Sequence, residues 1–131
     1  MKLSSIQSSE FDHYTIKVQD LNKSAGFYSK ILGLSEITNR TEKLHIRWFS
    51  LGNGELHLVE GKNEDIKTNI GVHLALKIQD FEAFLTHLKE NHIIPHNSKG
   101  SANSTTTRAD GIMQVYFQDP DGYWIEVNNA L

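Results

Sequence analysis

A repeat inside the chain constrains its fold more than any other feature. Residues 13–21 read HYTIKVQDL and residues 73–81 read HLALKIQDF, so His13 aligns with His73, Lys17 with Lys77, Gln19 with Gln79 and Asp20 with Asp80. Self-similarity of this kind means that one supersecondary unit is used twice. Each copy runs on into a helical pattern. Leu21, Ala25, Tyr28 and Leu32 fall on one helical face, with Asp20 as N-cap and Gly33 as stop. Phe81, Phe84, Leu85 and Leu88 do the same in the second copy, with Asp80 as N-cap and Asn91 as a left-handed stop.

Strand-like runs punctuated by glycine turns follow each helix. They are residues 34–40, 44–51 and 55–60 in the first half, and 105–108, 112–118 and 123–128 in the second. Each half therefore reads βαβββ. The expected fold is α+β: two βαβββ modules, 11–60 and 71–129, joined by a polar linker, 61–70, in one domain. Their strands should form a cupped mixed sheet with the helices on its convex face.

Turn chemistry predicts which side chains face the cup. In Asp119-Pro120-Asp121-Gly122, proline suits the first corner and glycine the left-handed residue of a three-residue hairpin with a G1 bulge. That hairpin pairs Asp119 with Tyr123, Phe117 with Ile125 and Tyr116 with Glu126. Val115, Phe117, Ile125 and Val127 then go under the helix, and Gln114, Tyr116, Gln118, Trp124 and Glu126 go to the cup. With Gly54 in the same bulge position, Phe49 pairs with His57. His45, Arg47, Phe49, Glu55 and His57 then line the cup, and Leu44, Ile46, Trp48, Leu56 and Leu58 go under the helix. A two-residue Asn53-Gly54 turn instead puts Leu44, Ile46 and Trp48 beside His57.

Four side chains of metal-ligand type thus occupy matching places: His13 and His73 on the first strand of each half, His57 and Glu126 on the last. Three imidazoles and a carboxylate suit one divalent ion such as Zn, Ni, Fe, Co or Mn. The chain has no cysteine, so nitrogen and oxygen are the donors at hand. A net charge of −3 with no Lys/Arg block argues against nucleic-acid or membrane partners. No apolar stretch has the length of a signal peptide core or a membrane span, so a cytoplasmic location is expected. His87, His92 and His96, on or after the second helix, are expected at the surface, and Arg108 as a solvated charge.

Three segments, DLNKSAGFYSKILGL (20–34), GVHLALKI (71–78) and FQDPDGYWIEV (117–127), in this order and spacing resemble the vicinal oxygen chelate superfamily. That superfamily includes glyoxalase I, fosfomycin-resistance proteins, epimerases, extradiol dioxygenases and bleomycin-binding proteins. The resemblance implies a metal bound from the first and last strands of the modules, which map onto His13, His57, His73 and Glu126. Many glyoxalases have glutamate at the position of His57, and Glu55 shares its face as a competing ligand.

The resemblance further implies a glyoxalase-like lyase or isomerase acting on a small oxygenated substrate chelated to the metal. Glu126 and Glu55 are then the acid–base carboxylates, and Arg47, Phe49, Tyr116 and Trp124 the substrate contacts. A fosfomycin-type thiol transferase and a non-catalytic small-molecule-binding protein of the same fold are the alternatives. A homodimer is expected, since open sheet edges need cover, and the ligands meet either within one chain or across its two-fold axis.

Overall fold

The computed structural model describes residues 8–131, which divide into two compact units on either side of the 64/65 boundary. Among the described residues no helix is long and apolar enough to cross a membrane.

The first unit holds β1 (His13–Val18), α1 (Leu21–Lys30), β2 (Glu36–Ile37), β3 (Ile46–Leu51) and β4 (Gly54–Glu60). Its sheet runs β1-β4-β3-β2, with β1 parallel to β4 and the other pairs antiparallel. The second unit holds β5 (His73–Lys77), α2 (Phe81–Glu90), β6 (Thr106–Thr107), β7 (Met113–Gln118) and β8 (Trp124–Asn128). Its sheet runs β5-β8-β7-β6, the same order with the same parallel pair. The repeat in the sequence is a repeat of topology, and each copy is βαβββ.

Both helices start as expected. Asp20 Oδ1 accepts from the Lys23 amide at 3.0 Å and Asp80 Oδ1 from the Ala83 amide at 2.9 Å, each satisfying an orphan donor of the first turn. Glu60, at the end of β4, accepts a further one from Leu21 at 2.9 Å and so ties α1 to its sheet. Gly33 ends α1 at φ 67°, and the Leu34 amide reaches back to the Tyr28 carbonyl. The stop of α2 is displaced by one residue. Asn91 keeps φ −99°, and His92 takes the left-handed conformation at φ 58° while Ile93 N–H closes on Leu88 O. Asn91 instead spends its side chain on the His87 carbonyl, which it reaches from the right-handed side.

The second hairpin forms as the turn chemistry predicts. Tyr116 pairs with Glu126, Phe117 with Ile125, and Gly122 sits at φ 89°. Val115, Phe117, Ile125 and Val127 are buried, with Phe117 against Phe84 of α2.

The first hairpin does not follow the bulge. Leu51 pairs with Gly54 across a two-residue turn whose first corner, Gly52, has φ 56°. Trp48 therefore stands opposite His57, and Phe49 opposite Leu56. Phe49, Leu51, Leu56 and Leu58 form the core of this unit, while Leu44, expected under the helix, is 96% exposed. Gly54 is held in place by its neighbours, since a Cβ there would lie 2.3 Å from the Phe11 ring and 2.7 Å from the Asp12 carbonyl oxygen.

Candidate metal centre

In the second module, strand register decides which side chains share a face. β7 and β8 set Tyr116 beside Glu126 and Gln118 beside Trp124. β5 adds His73 beside Trp124 and Ala75 beside Glu126. Because side chains alternate along a strand, His73, Gln114, Tyr116, Gln118, Trp124 and Glu126 all lie on the face opposite the Val115–Phe117 core.

Glu126 is 5% exposed, and both its oxygens are engaged. Oε2 accepts from Gln114 Nε2 at 3.0 Å and Asn128 Nδ2 at 2.7 Å. Oε1 accepts from the Tyr116 hydroxyl at 2.9 Å and lies 3.1 Å from His73 Nε2. Burial alone would raise this carboxyl, but the bonds from Asn128, Gln114 and Tyr116 outweigh it and hold the group below the ordinary carboxylate value. Burial, reinforced by the bond to Glu126, pushes the Tyr116 hydroxyl up to about 12.

His73 is oriented from behind. Its Nδ1 lies 2.7 Å from the Ile70 carbonyl oxygen, and a carbonyl only accepts, so Nδ1 carries the proton. In the neutral ring Nε2 then presents a lone pair toward a carboxylate oxygen. Two acceptors 3.1 Å apart call for a cation, either a proton or a metal ion. A backbone carbonyl on the far ring nitrogen is also the usual way a metal-ligating histidine is fixed.

In the first module the matching register sets His57 between Thr15 and Trp48, as Glu126 stands between Ala75 and Tyr116. His57, not Glu55, is therefore the topological equivalent of Glu126, and Glu55 takes the place of Trp124. The rings of His13, His57 and Trp48 stack, at 4.2 Å and 4.0 Å between centroids, and the Arg40 guanidinium caps the stack 4.6 Å from the Trp48 ring. Glu55 lies 2.9 Å from His57 Nε2 and 3.6 Å from Arg40, and His13 Nδ1 pairs with Asp12. The His57 bond, assisted by Arg40, holds the Glu55 carboxyl below its ordinary value.

Two expected substrate contacts are on other faces. Phe49 is fully buried against Leu56, and Arg47 forks onto Glu36 at 2.6 and 2.9 Å and reaches Asn22 of α1. The two-residue turn rotates both away from the His57 face and brings Trp48 in. Arg108 pairs with Asp110 at an exposed corner.

Among the described residues, no three His, Cys, Asp or Glu side chains are grouped so as to hold an ion. The candidate ligands stand as two pairs, one in each module. Arg40, Asp12 and Asn128 were not among the expected site residues. Asp12 and Asn128 are the ones the sequence offered, each one or two positions from a candidate ligand.

Residues 10–127 match the family model described as Glyoxalase/Bleomycin resistance protein/Dioxygenase superfamily. The chain belongs to this superfamily. A Bacillus subtilis (strain 168) protein, YwbC, is 30% identical over 88% of this chain and 93% of its own length. A Staphylococcus epidermidis protein named metallothiol transferase FosB is 29% identical over 91% and 80%. Among solved structures, a glyoxalase/dioxygenase from Nostoc punctiforme superposes with a TM-score of 0.78 at 24% identity, over 100% of this chain and 98% of that one. Such superfamily members share the fold, and the site must be argued from its own residues.

Proposed function

We propose that the chain is a divalent-metal-dependent, glyoxalase-like lyase or isomerase acting on a small oxygenated substrate. The observation that carries this is the His73–Glu126 pair, with two acceptor atoms 3.1 Å apart and the imidazole fixed by Ile70 O. His73 and Glu126, together with His13 and His57 of the first module, are the ligands, supplied within one chain or by two copies in a homodimer. Their nitrogen and oxygen donors suit Zn, Ni, Fe, Co or Mn. When bound, the ion supplies Lewis acidity to the substrate oxygens.

The rest of the chemistry falls to the protein's own groups. Glu55, ionised at neutral pH and steadied by Arg40, is the base that takes and returns the substrate proton. Tyr116, protonated at any physiological pH, donates to Glu126 Oε1 and so steadies that ligand. Trp124 gives a flat apolar wall on the same face as Glu126.

The test is conversion of the hemithioacetal of methylglyoxal and a thiol by protein loaded in turn with each ion. Glu55→Gln should bind its ion normally and lose about 10²- to 10⁴-fold in rate, the usual worth of a general base. No conversion with any ion contradicts the lyase reading, and thiol opening of fosfomycin in its place would favour the thiol transferase instead.

A further inference from the structure

His96 lies in an irregular segment, yet its backbone joins the second sheet. Its amide donates to the Tyr116 carbonyl at 2.7 Å and its carbonyl accepts from the Tyr116 amide at 2.9 Å. Antiparallel partners bonded in both directions point their side chains to the same face. His96, Tyr116 and Glu126 therefore form one row across the sheet, on the face that also carries His73. The His96 ring stands edge-on to Trp124, 5.0 Å between centroids. Beside it opens a cavity of about 300 Å³ lined by His92, Ile93, Ile94, His96 and Gln118.

His96 and Gln118 each offer an acceptor there. His96 Nδ1 lies 3.1 Å from the Ile94 carbonyl oxygen, so Nδ1 carries the proton and the neutral ring accepts at Nε2. Gln118 donates one Nε2 proton to the Gly122 carbonyl at 3.1 Å, which orients the amide, and its Oε1 is the acceptor. A molecule held by oxygen at Glu126 and His73 and lying along Trp124 reaches this cavity at its far end. Neighbouring strands are about 4.8 Å apart, so the span from Glu126 to His96 is roughly 10 Å, about the length of a substituted benzene ring with its chelating group.

From this arrangement we infer that His96 and Gln118 form a specificity subsite for a planar substrate. That substrate carries a hydrogen-bond donor, a hydroxyl of phenolic type, at the end opposite its metal-chelating oxygens. The inference rests on the metal-binding role of His73 and Glu126 proposed above.

The test uses three chelating probes on the metal-loaded protein at pH 8: benzohydroxamate, 4-hydroxybenzohydroxamate and 4-methoxybenzohydroxamate. Affinity is read from quenching of tryptophan fluorescence, and metal content is measured on the same samples. The 4-hydroxy compound should bind about tenfold more tightly than the 4-methoxy compound, the usual worth of one good hydrogen bond. His96→Ala should abolish that preference while leaving metal content and affinity for unsubstituted benzohydroxamate unchanged, and Gln118→Ala should reduce it. Absence of the preference in the wild type, or its survival in His96→Ala, overturns the subsite while leaving the metal centre standing. Protein that takes up neither ion nor hydroxamate overturns both.

Discussion

His73 turns its Nε2 to within 3.1 Å of Glu126 Oε1 while its other nitrogen is spent on the Ile70 carbonyl. Glu126 in turn gathers hydrogen bonds from Gln114, Asn128 and Tyr116. A carboxylate held by three donors and aimed at an imidazole is costly to remove. In Glu126→Ala the donors lose their acceptor inside the sheet, and the metal-free protein should lose roughly 1–3 kcal/mol in urea unfolding. Glu126→Gln keeps the shape and should cost less. Equal stability of Glu126→Ala and wild type would contradict the network.

Tyr116 titration reads the same network from its other end. Ultraviolet titration of the metal-free protein, compared with Tyr116→Phe, should show Tyr116 ionising at about 12. In Glu126→Gln that value should fall only part of the way toward the ordinary 10, because burial, the larger cause, remains. Because the folded value is raised, the native state holds this proton more tightly than the unfolded chain. Its contribution to stability is complete below pH 10 and disappears as pH rises through 12. A value near 10 in the wild type would place the hydroxyl away from Glu126.

The Arg47–Glu36 fork closes the edge of the first sheet. The Arg47 bond, against a smaller opposing effect of burial, lowers the Glu36 carboxyl. A lowered carboxylate stabilises the fold above its unfolded pKa near 4.5, and that contribution fades as pH falls through the lower folded value. The Glu36 side chain is 42% exposed, so solvent screens the pair. Glu36→Gln should cost under about 1 kcal/mol at pH 7 and nothing once the carboxylate is protonated. A constant deficit across the acid range would contradict the ion pair.

Gly54→Ala tests the first hairpin. The new methyl meets the Phe11 ring, which can swing aside, but also the Asp12 carbonyl oxygen at 2.7 Å, which is backbone. A loss of about 1–3 kcal/mol is expected, as for overpacking elsewhere. A silent substitution would mean that β1 and β4 do not approach as described.

The repeat, both helices and the second hairpin were legible because each rests on local signals: a carboxylate N-cap, a 3.6-residue period, a Pro-Asp-Gly turn. The first hairpin was not, since Gly52-Asn53-Gly54 serves a two- or a three-residue turn equally well. The choice was made at a distance, by Phe11 and Asp12 against Gly54 and by Phe49 entering the core. That one-residue shift moved Arg47 and Phe49 off the His57 face and moved Trp48 onto it. His57 and Glu126 kept their places under either turn, because alternation with Leu56, Leu58, Ile125 and Val127 fixes them. His96, expected at the surface, joins the second sheet through an isolated bridge in a loop, which leaves no periodicity to read. Arg40 escaped because a cation over a ring has no sequence spacing.

Metal stoichiometry tests the central claim most directly. Purified protein would be titrated with Ni²⁺, Zn²⁺, Mn²⁺ and Fe²⁺ beside a His73→Ala, Glu126→Ala double variant. The expected result is about one ion per chain in the wild type and none in the variant, as for a centre built on these two side chains. Uptake no greater in the wild type than in the variant would contradict the metal centre, and with it the enzyme.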